Sequence, residues 1–129
     1  MAQPLIQVLE RQAHLVWMAL QATYPELRTY KVPKVGINNR LWKVAGYAYC
    51  EEHRVEFGSK FFGRYKPQML LEIVPHELIH VADFIINGND MTDGGHGIGW
   101  RNMMRAYGLE PNRYHNLHIN KSDPIITAL

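Results

Sequence analysis

His76, Glu77 and His80 form the string H-E-x-x-H inside an apolar stretch that is typical of a helix. Positions four apart lie on one helical face, so both imidazoles can reach a single cation while the glutamate stands beside them. Zinc suits imidazole ligands, and three protein ligands leave a fourth position for water. The string therefore predicts a hydrolytic zinc site in which Glu77 is the catalytic base that takes a proton from water.

The same residues also fit an ordinary core helix whose histidines are satisfied by hydrogen bonds. Burying two histidines and a glutamate without partners would be costly, however, and a metal removes that cost. Pro75 directly precedes the string, lacks an N–H and disfavours helical geometry at Val74. We therefore expect a kink or a new helical start just before His76.

A third ligand is required, and the spacing excludes one class of zinc peptidase. The metzincin pattern places a glycine and a third histidine at positions that are Asp83 and Ile86 here. His96 is the best candidate, because the glycines around it let the backbone bend closely about a metal. Other residues that could supply a ligand by type are Asp83, Asp90, Asp93, Glu110, His115 and His118.

This pattern resembles the SprT-like family of zinc metallopeptidases, which includes the bacterial SprT proteins and the protease domain of animal Spartan. Close to the string, the resemblance is carried by Val74-Pro75 and by His96-Gly97 followed by Trp100. Farther away it is carried by residues 45–49 and 54–57 and by residues 114–118, where Leu117 stands in place of an aromatic residue. It covers roughly residues 40 to 118, and it implies that His76, His80 and His96 bind one zinc ion with Glu77 as the base. Many members continue into a cysteine-rich zinc ribbon; with one cysteine in the chain we expect a minimal form without it.

The composition, with 129 residues, 47% hydrophobic and 20% charged, predicts one domain over residues 1–129. We expect a zincin-like α+β fold. An N-terminal helix is predicted from Pro4 to near Tyr24, an active-site helix is opened by Pro67, and a last helix runs from about Ile98 to Tyr107. Between Tyr30 and Phe62 we expect a small antiparallel sheet of about three strands, with breaks at residues 36–39, Gly46 and residues 50–53. Cys50 is expected to be a small buried residue.

The start of the chain has neither a basic region nor an apolar core of signal-peptide type, and no apolar run approaches the length of a membrane span. We therefore expect a cytoplasmic monomer without membrane contact. Hydrolysis of another amide, such as cell-wall peptide, would require export and is disfavoured for that reason.

Substrate binding and transition-state stabilisation need further groups. An edge strand could hold an extended protein or peptide by backbone pairing, and residues 54–58 are the expected strand, although they fit a core strand equally well. Tyr114, His115 and His118 are candidates for stabilising the oxyanion, or they pack the tail onto the domain. Asp83 could orient a ligand imidazole or lie on a solvated helix face, and Trp100 is expected to pack behind the His96 loop.

Charge is distributed unevenly. Residues 1–66 contain ten Lys or Arg and five acidic residues, whereas residues 67–129 contain four and seven. A basic, aromatic surface that could contact DNA is offered by Lys31, Lys34, Arg40, Trp42 and Lys43. A solvated sheet face is the alternative, because no recognised nucleic-acid motif accompanies these residues.

Together these features predict a zinc endopeptidase that acts on proteins, with DNA-associated or DNA-crosslinked proteins as the substrates suggested by the resemblance. The competing interpretation is a non-enzymatic protein- or DNA-binding module stabilised by zinc, in which His115 or His118 closes the fourth position.

Overall fold

The computed structural model of the chain describes residues 2–88 and 92–129. The helices are α1 (Leu5–Thr23), α2 (Phe62–Gln68), α3 (Val74–Asn87) and α4 (Ile98–Tyr107), and the strands are β1 (Lys34–Asn38), β2 (Gly46–Tyr49) and β3 (Arg54–Gly58). The α+β class is thus confirmed, as are the predicted positions of α1 and α4. No helix in these ranges is long and apolar enough to cross a membrane.

The sheet is mixed, so the prediction of a purely antiparallel sheet was wrong. β3 lies in the centre, pairs in parallel with β1 and pairs antiparallel with β2. Only β2 and β3 are joined by a tight turn, at residues 50–53, and such a turn reverses the chain. β1 reaches the other side of β3 through a longer connection, which permits the same direction. Gly36 lies inside β1 and does not break it.

The central place of β3 also corrects the expected substrate-binding strand. Residues 54–58 have a neighbouring strand on both sides, so their backbone groups are already used in the sheet. The edges of the sheet are β1 and β2, and β2 is the edge strand that contacts α3.

α3 is the central helix of the fold, since it contacts α1, α4, β2 and β3. The side of α1 that carries Leu5, Leu9, Ala13, Val16, Trp17 and Leu20 is buried in the same core. Burial on several sides explains why the H-E-x-x-H segment is apolar apart from its functional residues. It also means that those residues are held by packing from every neighbouring element.

The entry into α3 confirms the expected disturbance before His76. Met69–Ile73 form a π-helical turn, and Pro75 occupies the first turn of α3. Proline is tolerated there because the first N–H groups of a helix have no partner within the helix. A short helical turn begins earlier than expected, at Phe62, but Tyr65 inside α2 has non-helical backbone angles (φ −131°, ψ 41°) and divides the helix by a kink. Pro67 lies two residues after this kink, in the first turn of the helical segment that leads to α3, as predicted.

After α4 the chain runs back over the domain without regular structure. α4 ends at Gly108, whose φ of 101° lies in the left-handed region that favours glycine. The following segment is anchored to α2 by the Tyr65 hydroxyl, which donates to the carbonyl of His118, and by an Arg64–Asp123 ion pair. These anchors fix residues 108–119 as one wall of the cleft described below.

Candidate active site

Three histidine side chains meet at one point, as the sequence predicted. His76 and His80 stand one turn apart on α3, and His96 comes from the loop that precedes α4. One ligand nitrogen from each lies within 4.8 Å of the other two, and the Nε2 atoms of His80 and His96 are 3.0 Å apart. No other cluster of potential ligands occurs within the described ranges.

The other residues proposed by type as ligands do not join this cluster. Asp83, Glu110, His115 and His118 lie outside the group of three. Asp90 and the side chain of Asp93 fall outside the part of the chain that the structure describes. Among described residues, His96 is therefore the sole partner for the two histidines of α3.

The arrangement fits a tetrahedral metal ion bound by nitrogen. Zinc–nitrogen bonds of about 2.0–2.1 Å place two ligand nitrogens about 3.4 Å apart at a tetrahedral centre. The observed spacing, from 3.0 Å to at most 4.8 Å, needs only small ring movements to reach that value. Three imidazoles are also a donor set that zinc accepts while retaining an open position.

Glycines in the His96 loop bring its backbone against the second ligand. Gly94 and Gly95 have φ values of 61° and 85°, which residues with a side chain rarely adopt. The backbone of Gly95 hydrogen-bonds the His80 ring, and a Cβ on Gly95 would lie 3.7 Å from His80 Nδ1. A bond on the Nδ1 side leaves Nε2 of His80 directed at His96, which is the usual way in which a protein orients a metal-binding imidazole.

Trp100 is fully buried behind the cluster and touches all three histidine rings. Its ring stacks on His80 at 15° with centroids 5.0 Å apart, and it meets His76 and His96 edge-on at 4.9 and 4.6 Å. The indole Nε1 donates to the carbonyl of His76 at 3.5 Å. Sequence reasoning placed Trp100 behind the His96 loop but did not foresee contact with the whole ligand set.

Burial keeps His76 and His80 neutral. The pKa of His76 is lowered to about 3, chiefly by burial and further by His96 and His115. The pKa of His80 is lowered to about 2, again mainly by burial, with His76 and His96 adding to the shift. Both rings therefore present an unprotonated nitrogen near neutral pH, which is the form that binds a metal.

Glu77 stands beside the cluster in an apolar setting. It is 7% exposed, and burial raises its pKa to about 8. Its Oε2 lies 4.0 Å from His76 Nε2. Because His76 is neutral near pH 7, this contact is not an ion pair. A carboxyl group with this pKa is close to the range suited to proton transfer at neutral pH.

Gly46, at the start of β2, provides the space for this glutamate. A Cβ on Gly46 would lie 3.1 Å from Glu77 Cγ and equally close to the backbone oxygen of Glu56. The contact with Glu77 was not predicted, although Gly46 was expected as a break between strands and belongs to residues 45–49, which carry part of the resemblance. An isolated glycine at a strand end was the available signal that something approaches closely.

The histidines and Glu77 open into a cleft of about 1280 Å³. One wall is formed by residues 42–48, which include the first three residues of β2, and another by residues 108–119. Cys50 is half-buried in this cleft and donates its thiol to the carbonyl of His80 at 3.5 Å. Burial raises the pKa of Cys50 to about 11, with the charge of Glu77 contributing, so the thiol stays protonated.

The three residues considered for oxyanion stabilisation differ in their surroundings. His115 accepts a hydrogen bond on Nδ1 from the N–H of Leu117 at 3.0 Å and also hydrogen-bonds the backbone of Lys43. Its ring is therefore engaged by the protein. Tyr114 and His118 both line the cleft and are exposed, and the backbone of His118 is hydrogen-bonded to the Tyr65 hydroxyl.

The basic residues proposed for DNA contact are divided between different parts of the surface. Trp42 and Lys43 line the cleft, with the Lys43 ammonium 5.0 Å from the centre of the Trp42 ring. Lys31 lines a separate pocket of about 450 Å³ beside α1. Lys34 begins β1, and the N–H of Arg40 donates to the Asn38 side chain in a turn.

Comparison with known proteins gives one consistent group. The SprT-like family model matches residues 14–120. The chain is 32% identical over 107 residues to Protein SprT of Pseudomonas syringae pv. tomato, which covers 82% of the chain and 63% of that protein. It is 31% identical over 99 residues to Protein SprT of Pseudomonas savastanoi pv. phaseolicola, covering 76% and 58%. For Protein SprT of Vibrio parahaemolyticus the identity is 30% over 94 residues, covering 71% and 54%.

The chain thus spans less than two thirds of the length of these curated relatives. No solved structure matches the chain.

Proposed function

Because the chain belongs to the SprT-like family, we propose that it is a zinc-dependent endopeptidase in which His76, His80 and His96 hold one metal ion and Glu77 is the general base. The observation that carries this proposal is the convergence of three imidazoles, within 4.8 Å of one another, beside a buried carboxyl group in an open cleft.

Zinc, when bound, supplies a Lewis acid that polarises the scissile carbonyl and makes water more acidic. Glu77 accepts the proton of the attacking water and later delivers it to the leaving amine. Its buried position raises its proton affinity, and the positive charge of the ion acts in the opposite direction. Gly46 and His76 hold the carboxylate between the sheet and the metal ligands.

The open cleft favours catalysis over a purely structural metal site. A structural zinc site is closed by four protein ligands, and within the described ranges only three potential ligands converge. His115, one of the two residues considered for a fourth ligand, has a ring already engaged by Leu117 and Lys43.

We propose that the substrate is an extended polypeptide paired with the edge of β2. This strand borders the cleft, begins at Gly46 beside Glu77 and has β3 on one side only. Backbone pairing would bind many sequences, because it needs no particular side chain. Tyr114 and His118 both line the cleft, and the His115 ring is occupied. Of the two we propose Tyr114 for stabilising the oxyanion, because its phenol hydroxyl is a hydrogen-bond donor.

Proteins bound or crosslinked to DNA are the substrate class that we propose for this site. The support comes from Trp42 and Lys43, which place a cation and an aromatic face at the cleft. These groups suit a phosphate and a base of a single strand.

The decisive experiment compares cleavage of a DNA-crosslinked protein with cleavage of the same protein free, with and without added DNA. The zinc-loaded chain should cut, and Glu77→Gln should bind zinc without cutting. The Glu10→Gln variant, which changes an exposed acid on α1, should cut like the wild type. Absence of cleavage in every arm would refute the peptidase assignment, whereas equal cleavage in every arm would refute the preference for DNA-bound substrates.

A further inference from the structure

Asp83 is a buried carboxylate that the proposed hydrolysis does not use. It lies on α3, three residues after His80, and is 7% exposed. The other buried polar or charged side chains in the described ranges are Ser59, which hydrogen-bonds Asn39, and Glu77. A carboxylate is costly to bury, so its surroundings must compensate for lost hydration.

Those surroundings are Asn87 on the same helix and the first turn of α4. The Asn87 amide donates to Asp83 Oδ1 at 2.7 Å. A Cβ on Gly99 would lie only 2.5 Å from Asp83 Oδ1 and 2.7 Å from Asn87 Nδ2. Gly99 is thus needed for space, because the backbone of α4 lies directly on the Asp83–Asn87 pair.

The contact joins a negative group to the positive end of a helix. α4 begins after Gly97, which offers no capping side chain, and its first turn contains no acidic residue. Asp83 supplies an anion from the neighbouring helix at the second residue of α4. A carboxylate at this end of a helix is favoured by the unpaired N–H groups and the helix dipole.

The start of α4 in turn lies beside the groups that complete the proposed metal site. Trp100, which touches all three histidine rings, directly follows Gly99 on α4. His96 lies in the preceding loop, three residues before Gly99. We infer that the Asp83–Asn87 pair supports the first turn of α4 and thereby positions His96 and Trp100 for metal binding. This makes Asp83 a positioning residue, and the inference rests on the metal site proposed above.

The first test removes the charge and keeps the shape. Asp83→Asn should weaken zinc binding by about tenfold or more, as expected when a group that orients metal ligands is lost. Zinc affinity is measured by competition with a chromophoric chelator, and the visible absorption of the Co²⁺-loaded protein reports ligand geometry. Glu10→Gln, an exposed acid-to-amide change on α1, is the control and should leave both unchanged.

The second test uses the space around Gly99. Gly99→Ala should also lower zinc affinity about tenfold or more, because the new methyl group must push α4 off the pair. Gly63→Ala is the matched control: it lies in helix α2, where a Cβ would meet only Ile126 at 3.5 Å, an ordinary contact. It should bind zinc like the wild type.

Chemical unfolding of the metal-free proteins shows whether each variant is folded, and so distinguishes a local effect on zinc binding from a loss of the fold. If Asp83→Asn or Gly99→Ala fails to fold, Asn87→Ala tests the inference instead. This variant removes the amide that donates to Asp83, at an exposed position, and should still weaken zinc binding several-fold. The inference is overturned if the folded variants bind zinc with wild-type affinity and show an unchanged Co²⁺ spectrum. If only Asn87→Ala folds, the same result in that variant overturns it. A wild-type protein that binds no zinc would instead refute the proposed function.

Discussion

Replacing Glu77 with glutamine should change the pH dependence of folding as well as the activity. Glu77 is buried without an ion pair, and burial raises its pKa from 4.5 to about 8. In metal-free protein the folded state therefore retains a proton that the unfolded chain releases. Glutamine has a similar shape and carries no titrating proton.

The sign and size follow from proton linkage. Between pH 4.5 and about 8 only the folded state holds the proton, so the Glu77 contribution to stability falls as pH rises. From pH 5 to pH 8 this loss amounts to about 3 kcal/mol, at roughly 1.4 kcal/mol per pH unit. His76 and His80 act oppositely, because their lowered pKa values make stability fall as pH drops below 6.5. Both histidines are retained in the variant, so their effect cancels in the comparison.

The assay is chemical unfolding in the presence of a chelator at pH 5 and at pH 8, for wild type and Glu77→Gln. The change in unfolding free energy between the two pH values should differ between the proteins by about 3 kcal/mol, with the wild type losing more at pH 8. Parallel pH dependence would refute a buried, protonated Glu77. Cleavage by the zinc-loaded variant at the wild-type rate would refute its role as base.

Three further predictions concern neighbouring residues. His96→Ala should lower zinc affinity by at least tenfold, measured by chelator competition, and wild-type zinc content in the purified variant would move the third ligand elsewhere. Gly46→Ala should cost about 1–3 kcal/mol of folding stability because its Cβ would crowd Glu77, and kcat should fall while zinc affinity stays the same. A loss of zinc in that variant would contradict the assigned contact. Tyr114→Phe should reduce kcat about tenfold or more with little change in KM, as expected for a group that acts on the oxyanion; an unchanged kcat would exclude Tyr114.

Local patterns were sufficient for the helices. α1 and α4 lie where periodicity and flanking proline and glycine place them, because helical spacing and chain punctuation are properties of short segments. The disturbance before His76 was also predictable, since proline affects its own neighbours. Pro67 likewise marks the start of the helical segment that follows the kink at Tyr65, whereas the short turn from Phe62 to that kink was not predicted.

Strand arrangement was decided by tertiary structure. The short runs between residues 30 and 62 were recognisable as strands, yet nothing in them states which strand lies in the middle. β3 became central and β1 parallel to it through contacts between residues 20 positions apart, such as Lys34 with Arg54. Long-range pairing of this kind has no signature within either strand, so the expected edge strand was wrong.

The sequence alone identified the residues that meet at the site. Two histidines and a glutamate at helical spacing, with a later histidine among glycines, predict the cluster of three imidazoles that the structure contains, because helix geometry and glycine freedom are local. Tertiary structure decided what surrounds them: Trp100 against all three rings, Gly46 against Glu77, and α4 on the Asp83–Asn87 pair. These contacts depend on how separate elements pack, and that packing also sets the burial that lowers the pKa values of His76 and His80 and raises that of Glu77.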